Sequence, residues 1–199
     1  MDGTIGIISQ VAFWGLYSGC IYILLATGLN LIFGVMKIVN FAHGEFLMLG
    51  TYITFFLFVI SGFNPYVLLI GSIPILIIVG VIVERLCFRP ILGTGKLNEI
   101  FISLGLIYIF QNLVAMIWTD EWRSMKSPFA DILVSLGPLQ LPLDYLIIIT
   151  VTALILVSLY LFLQKTPLGG AIRAASQNRK GAMLMGVNVE RMDMLTFGI

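Results

Sequence analysis

Charge is what this 199-residue sequence has least of. Asp, Glu, Lys and Arg together make up 11% of it, against roughly 25% of a typical soluble domain. So few charges cannot cover the surface of a water-soluble globule of this length, and the composition points to an integral membrane protein of one domain. No basic block and no alternation of basic with aromatic residues is present, and the net charge is only +1, so nucleic acid is not expected as a partner. Histidine occurs once, at His43. One His beside one Glu is too small a ligand set for a metal, and no cofactor is expected. The absence of GxSxG and HExxH excludes the hydrolase chemistry those motifs carry. The two cysteines, Cys20 and Cys87, are far apart, form no CxxC and read as small apolar packing residues. The opening MDGTIG lacks the basic start of a signal peptide, and nothing resembling a cleavage site follows the first apolar run, which is therefore expected to be a retained span.

What the sequence has in abundance is apolar residues, 59% of the chain. A membrane span needs about 20 mainly apolar residues. Runs of that kind lie at 7–33, 46–61, 66–84, 100–118 and 143–163; the second is short and needs the Gly44–Phe46 side to complete it. The terminal MLTFGI reads as the start of a further span. An open sheet cannot satisfy its backbone in lipid, and no two-residue alternation suggests a barrel. The fold class expected is all-α: a polytopic transmembrane helix bundle of about five complete spans plus the start of another.

The loops differ in charge. Glu84–Glu99 carries Arg85, Arg89 and Lys96, and Gln164–Asp193 carries Lys165, Arg173, Arg179, Lys180 and Arg191. Thr119–Asp144 carries only Arg123 and Lys126, against Asp120, Glu121, Asp131 and Asp144. Positive residues stay inside, so the first two loops are expected to be cytoplasmic and the third external, with Trp118 and Trp122 in the external aromatic belt. Met1 then lies outside, unless Val39–Gly50 re-enters the membrane rather than turning. Glu84-Arg85 and Arg89-Pro90 read as a local ion pair with snorkelling side chains where the third span meets the cytoplasm, Pro90 stopping the helix.

Polar residues inside the apolar runs are the candidate path. NFAHGEF, Asn40 to Phe46, puts Asn40, His43 and Glu45 together. A buried Glu and His are costly in hydrocarbon unless paired or hydrated. The stretch reads either as a polar lining or hinge of a translocation path, helped by Gly44 if the helix is unwound there, or as a solvated turn. Gln111 and Asn112 in the fourth run are expected to face the bundle or the path, because lipid cannot satisfy an amide. Gly15, Gly19 and Gly28 suit close helix packing. In the basic loop, Thr166 is placed to cap a helix with Pro167 at its first position. Leu168, Ala171, Ile172 and Ala175 form an apolar stripe at helical spacing, and Gly186 is expected to end the helix. It serves either as an interfacial linker lying on lipid or as a docking helix.

Four stretches carry a resemblance: GLNLIFGVMKIVNFAHGEFLMLGTY (28–52), ERLCFRP (84–90), ISLGLIYIFQN (102–112) and TPLGGAIRAASQNRKGAMLMGVNVERMDMLTF (166–197). With them the sequence resembles the H-type permeases of branched-chain amino acid ABC importers, in a larger family that also serves ribose-type sugars and nucleosides. The resemblance implies a single permease domain over 1–199, with 164–193 as its cytoplasmic coupling loop, in a prokaryotic inner membrane. It implies a second permease subunit, two cytosolic ATPase subunits and an extracytoplasmic solute-binding protein as partners, besides membrane lipid. ATP would be hydrolysed in the partners and not in this chain. On that reading Arg173, Ala174, Gln177, Asn178, Ala182 and Gly186 are the coupling candidates, and Leu168, Ile172 and Met185 the apolar anchors for the ATPase. The importer pattern Glu-Ala-Ala-x-x-x-Gly is met only through Ala182 and Gly186, since Lys180-Gly181 stand where Glu-Ala would. Such permeases continue through further membrane helices beyond the point matching Ile199, so the chain is expected to be truncated. Urea, short amides or other small solutes are alternative substrates; a passive channel or a non-transporting fragment are alternative roles.

Overall fold

A computed structural model describes residues 2–119, 123–125, 127–136 and 139–199. Eight α-helices and one hairpin follow in chain order among them: α1 (Asp2–Met36), α2 (His43–Ser61), α3 (Pro65–Val83), α4 (Lys96–Trp118), β1 (Leu133–Leu136), β2 (Leu139–Pro142), α5 (Leu143–Lys165), α6 (Pro167–Gln177), α7 (Arg179–Leu184) and α8 (Val189–Gly198). Five helices are long and apolar enough to cross a membrane: Gly6–Met36, His43–Ser61, Pro65–Ile91, Lys96–Trp118 and Leu143–Lys165. All five expected spans are there, each extended by a few residues at one end or both. Large apolar side chains on all of them, such as Tyr22, Ile60, Ile70, Met116 and Tyr160, point away from the rest of the chain, as a lipid-facing or partner-facing surface requires. The hairpin is the one departure from an all-helical chain among the described residues. Of the expected aromatic belt, Trp118 packs on Tyr52 and Phe56; Trp122, with Asp120, Glu121 and Lys126, lies outside the described residues.

The contacts divide the chain into two compact units. One comprises residues 1–27 and 126–162. Its hairpin pairs Leu133 with Pro142 through Leu136 with Leu139 in antiparallel register. The Leu143 amide donates to the Ile132 carbonyl at 2.9 Å, so the hairpin leads directly into α5. There Tyr145 stacks on Tyr17 of α1 at 4.3 Å between ring centres and meets Trp14 edge-on.

The second unit comprises 28–125 and 163–199. Gly62 ends α2 at φ 66° and Asn64 caps α3, its Oδ1 accepting from the Tyr66 amide at 3.0 Å. With Pro65 at the first helical position, this turn sends α3 back along α2. Gly50 lies against Leu76 and Gly71 against Leu57, which makes the two helices antiparallel. Phe46 meets Phe110, and Tyr52 stacks on Trp118, so α2 and α4 run the same way. The core lies between these helices and α8, around Ile38, Ala42, Phe88, Leu106, Phe110 and Phe197.

At its far end α3 loosens into a π-helical turn, Glu84–Phe88, and then a 3-10 turn, Arg89–Ile91. Pro90 ends the helix, as its missing donor requires. The expected local ion pair is formed between Glu84 and Arg89, Nε to Oε1 at 3.5 Å, and Arg85 is exposed. The π turn explains it, since its wider winding bonds the Arg89 amide to the Glu84 carbonyl and brings i+5 towards i, where an α-helix brings i+4.

The helix expected from Thr166 to Gly186 is two helices. Thr166 caps α6 as read, accepting from the Gly169 amide at 3.0 Å, and Gly186 sits at φ 82°. Between them Asn178 adopts an extended backbone, φ −148° and ψ 96°. Its side chain accepts from the Gly181 amide at 2.9 Å, so it closes α6 and opens α7. Asn178 competes with the helical backbone for hydrogen bonds and wins where no apolar stripe holds the helix together.

Candidate functional site

The connection from α1 to α2 decides what NFAHGEF is. A Cβ built on Gly28 would lie 2.8 Å from His43 Nε2, so the imidazole fills the space the glycine leaves. Gly28 stands eight residues before the end of α1, about 12 Å along the axis at 1.5 Å per residue. Residues 37–42, which are not helical, therefore climb back beside the last turns of α1 before α2 begins. The segment folds back along α1, and His43 and Glu45 belong to the first helical turn of α2 rather than to an unwound stretch. Gly28 is the glycine of α1 that permits close approach; Gly15 and Gly19 have nothing within 4 Å. Replacing Gly28 by Leu is expected to displace His43 and to lower thermal stability by about 1–3 kcal/mol, the usual cost of overpacking. Gly19→Leu, measured in the same unfolding experiment, should cost less.

Asn40 shapes the climb. It is buried, its Oδ1 accepts from the Ala42 amide at 3.0 Å, and its carbonyl accepts from the His43 amide at 3.2 Å. This Asx turn aims the chain into α2 and leaves the buried Asn40 Nδ2 without a hydrogen-bond partner. One turn on, Glu45 Oε1 accepts from Gln111 Nε2 of α4 at 3.0 Å. Two of the five path candidates thus meet across 66 positions of sequence, while His43 lies against Gly28 of α1. Asn112 does not join them: exposed, it donates to the Tyr108 carbonyl of its own helix at 2.7 Å.

A second polar group ties the basic loops to one another. Arg89 bridges the buried Glu84 and, at 3.3 Å, Glu190 of α8, and it also reaches the Glu190 carbonyl. Arg179 of α7 forks both nitrogens onto the Asp193 carboxylate of α8, which is 1% exposed. Burial pushes the Asp193 carboxyl above its usual range, against the opposing hydrogen bond and charge of Arg179. The two loops that charge distribution assigns to one side of the membrane are therefore in contact. Their meeting by way of Glu190, Asp193 and the π turn was not visible in the sequence.

The coupling candidates separate into two groups. Ala182 is 5% exposed and Ile172 1% exposed; both pack inside their own chain, so Ile172 is not an anchor for a partner as expected. Arg173, Ala174, Gln177, Asn178 and Gly186 are exposed, Arg173 donating to Gln164 Oε1 at 2.7 Å. Among the anchors, Leu168 and Met185 do face out, and Met183 and Leu184 join them, with Leu184 89% exposed. Their signal was present as three successive apolar residues ahead of a helix-ending glycine.

Comparison with known proteins adds to this geometry. Residues 11–199 match the family model for the branched-chain amino acid transport system / permease component. The chain is similar to the high-affinity branched-chain amino acid transport system permease protein BraD of Pseudomonas aeruginosa, 29% identical over 197 positions that cover 93% of this chain and 64% of that one. It is 29% identical to the corresponding permease protein LivH of Escherichia coli, with 96% and 66% covered. It is 31% identical to a probable LivH of Methanocaldococcus jannaschii, with 88% and 57% covered. The chain thus spans no more than about two thirds of the length of these relatives. No solved structure matches it.

Proposed function

We propose that this chain, which belongs to the family of branched-chain amino acid transport system permease components, forms part of the amino-acid path of an ATP-driven importer. The observation that carries the path is the Glu45–Gln111 hydrogen bond between two apolar helices. A carboxylate and an amide at membrane depth are rare and costly, and they mark substrate routes. The pair gives α2 and α4 a short polar strip in an otherwise apolar wall, while His43 packs on Gly28 of α1.

The relatives are permease proteins of transport systems, which supports further subunits as partners. They are a second permease subunit, two cytosolic ATPases and an extracytoplasmic solute-binding protein, in a prokaryotic plasma membrane. The exposed apolar cluster Met183, Leu184 and Met185, with Lys180 three residues before it and Arg173 exposed on α6, supports an ATPase-facing surface at α6 and α7. Movement of that surface would reach α3 through Arg179–Asp193 and Glu190–Arg89, giving alternating access. Substrate choice rests largely with the binding protein.

The test is uptake of labelled leucine by proteoliposomes holding the complete polypeptide and its partners. Uptake should require ATP and the binding protein; flux without nucleotide would mean a passive channel. Glu45→Ala, which leaves Gln111 unpaired, is expected to lower uptake about tenfold or more with near-normal membrane yield, while Glu45→Gln retains part of it. Normal uptake by Glu45→Ala would remove the polar strip from the path.

A further inference from the structure

At the rim of an apolar crevice, the foot of α1 and the first turn of α4 carry charges, exposed at Lys37 and Lys96, that no partner among the described residues uses. A crevice of about 90 Å3 opens there, lined by Phe33, Phe41 and Ile100 together with Lys37, Lys96 and Glu99. None of these three charged side chains has an ion pair or hydrogen bond among the described residues. Lys37 takes φ 61°, a left-handed backbone that long side chains rarely adopt. The crevice lies at the end of the helices where α3 gives way to α4, the end that carries Arg85, Arg89 and Lys96.

We propose that this crevice binds the headgroup of a membrane phospholipid bearing a primary ammonium, of the phosphatidylethanolamine type. Two ammonium groups and one carboxylate complement a phosphodiester joined to a hydrogen-bonding cation. The phosphate is held by Lys37 and Lys96, the lipid ammonium by Glu99, and the first acyl carbons lie against Phe33, Phe41 and Ile100. Basic pockets between helices at the cytoplasmic end of a bundle commonly take lipid headgroups. An anionic lipid such as phosphatidylglycerol satisfies the lysines and leaves Glu99 without a cation. A choline headgroup offers Glu99 no N–H to accept from. A free phosphate would leave the aromatic walls unfilled. Lys37 and Phe41 flank Asn40, so a lipid held here braces the climbing connection that leads to His43 and Glu45.

The inference rests on membrane residence and not on the substrate. It is tested by native mass spectrometry of the complete protein released from nanodiscs holding equal amounts of phosphatidylethanolamine, phosphatidylcholine and phosphatidylglycerol. One or two phosphatidylethanolamine molecules should be retained in preference to the other two lipids. The double variant Lys37→Gln/Lys96→Gln should lose about tenfold or more of that retention. Glu99→Gln, which leaves both lysines in place, should retain lipid but no longer prefer phosphatidylethanolamine over phosphatidylglycerol. Equal retention of the three lipids by the unaltered protein, or retention unchanged by the lysine pair, would overturn the proposal and leave only an annular shell. Added inorganic phosphate that displaces no lipid separates the headgroup from a soluble anion; displacement would overturn it too.

Discussion

Arg179→Ala should open the corner between α7 and α8 and abolish transport. Asp193 is 1% exposed and both its oxygens are held by the Arg179 guanidinium. Removing one member of a buried pair strands the other charge, a loss of about 3–5 kcal/mol. The expected signature is fast hydrogen exchange of the α8 amides, with α2 to α4 still protected. Arg179→Lys keeps the charge but loses the two-pronged geometry and should fall between. Arg179→Ala combined with Asp193→Leu removes both charges and should recover much of the protection, because the stranded carboxylate is gone. Unchanged exchange in the single variant would show that the pair does not hold the corner together.

Ala182→Asp is expected to act on the chain before any partner arrives. Ala182 is 5% exposed; its amide donates to the Asn178 carbonyl at 2.9 Å and its own carbonyl accepts from the Val187 amide at 3.0 Å. An aspartate there buries an unpaired carboxylate, at a cost on the order of 3 kcal/mol. Residues 178–188 should become sensitive to limited proteolysis in the purified polypeptide alone, and capture of an ATPase subunit should fail as a consequence. A variant whose loop stays resistant to protease while the ATPase is lost would place Ala182 at the subunit contact. Leu184→Ser, at an 89% exposed position, provides the contrast, with an intact loop and weakened capture.

The features legible in the sequence are those fixed by neighbours a few positions away. Five apolar runs became five long helices because each was long enough to cross hydrocarbon alone. Thr166-Pro167 opened a helix and Gly186 took a positive φ for reasons contained in those residues. The break at Asn178 was missed because an asparagine between Gln177 and Arg179 suits a helix surface as well as a cap, and only the hydrogen bond to Gly181 decides between them. The path candidates were individually legible as polar residues in apolar runs. That Glu45 meets Gln111, while Asn112 turns back to its own helix, follows from no local pattern, because it depends on how α2 lies along α4. A local ion pair among Glu84, Arg85 and Arg89 was legible, but not that Arg89 is the partner, because that depends on the π turn of residues 84–88.

That irregular turn also sets an angular phase. Each residue advances an α-helix by about 100°, and the π turn holds one more residue than α winding would. Rewinding Glu84–Phe88 as ordinary α-helix would swing everything after it by a large fraction of a turn about the α3 axis. Arg89 would then face away from both Glu84 and Glu190. A single-residue deletion between 84 and 88 removes that extra residue, so the turn can wind as α-helix with the following residues still in phase. The corner on which α8 is seated turns only when all five residues are kept and rewound.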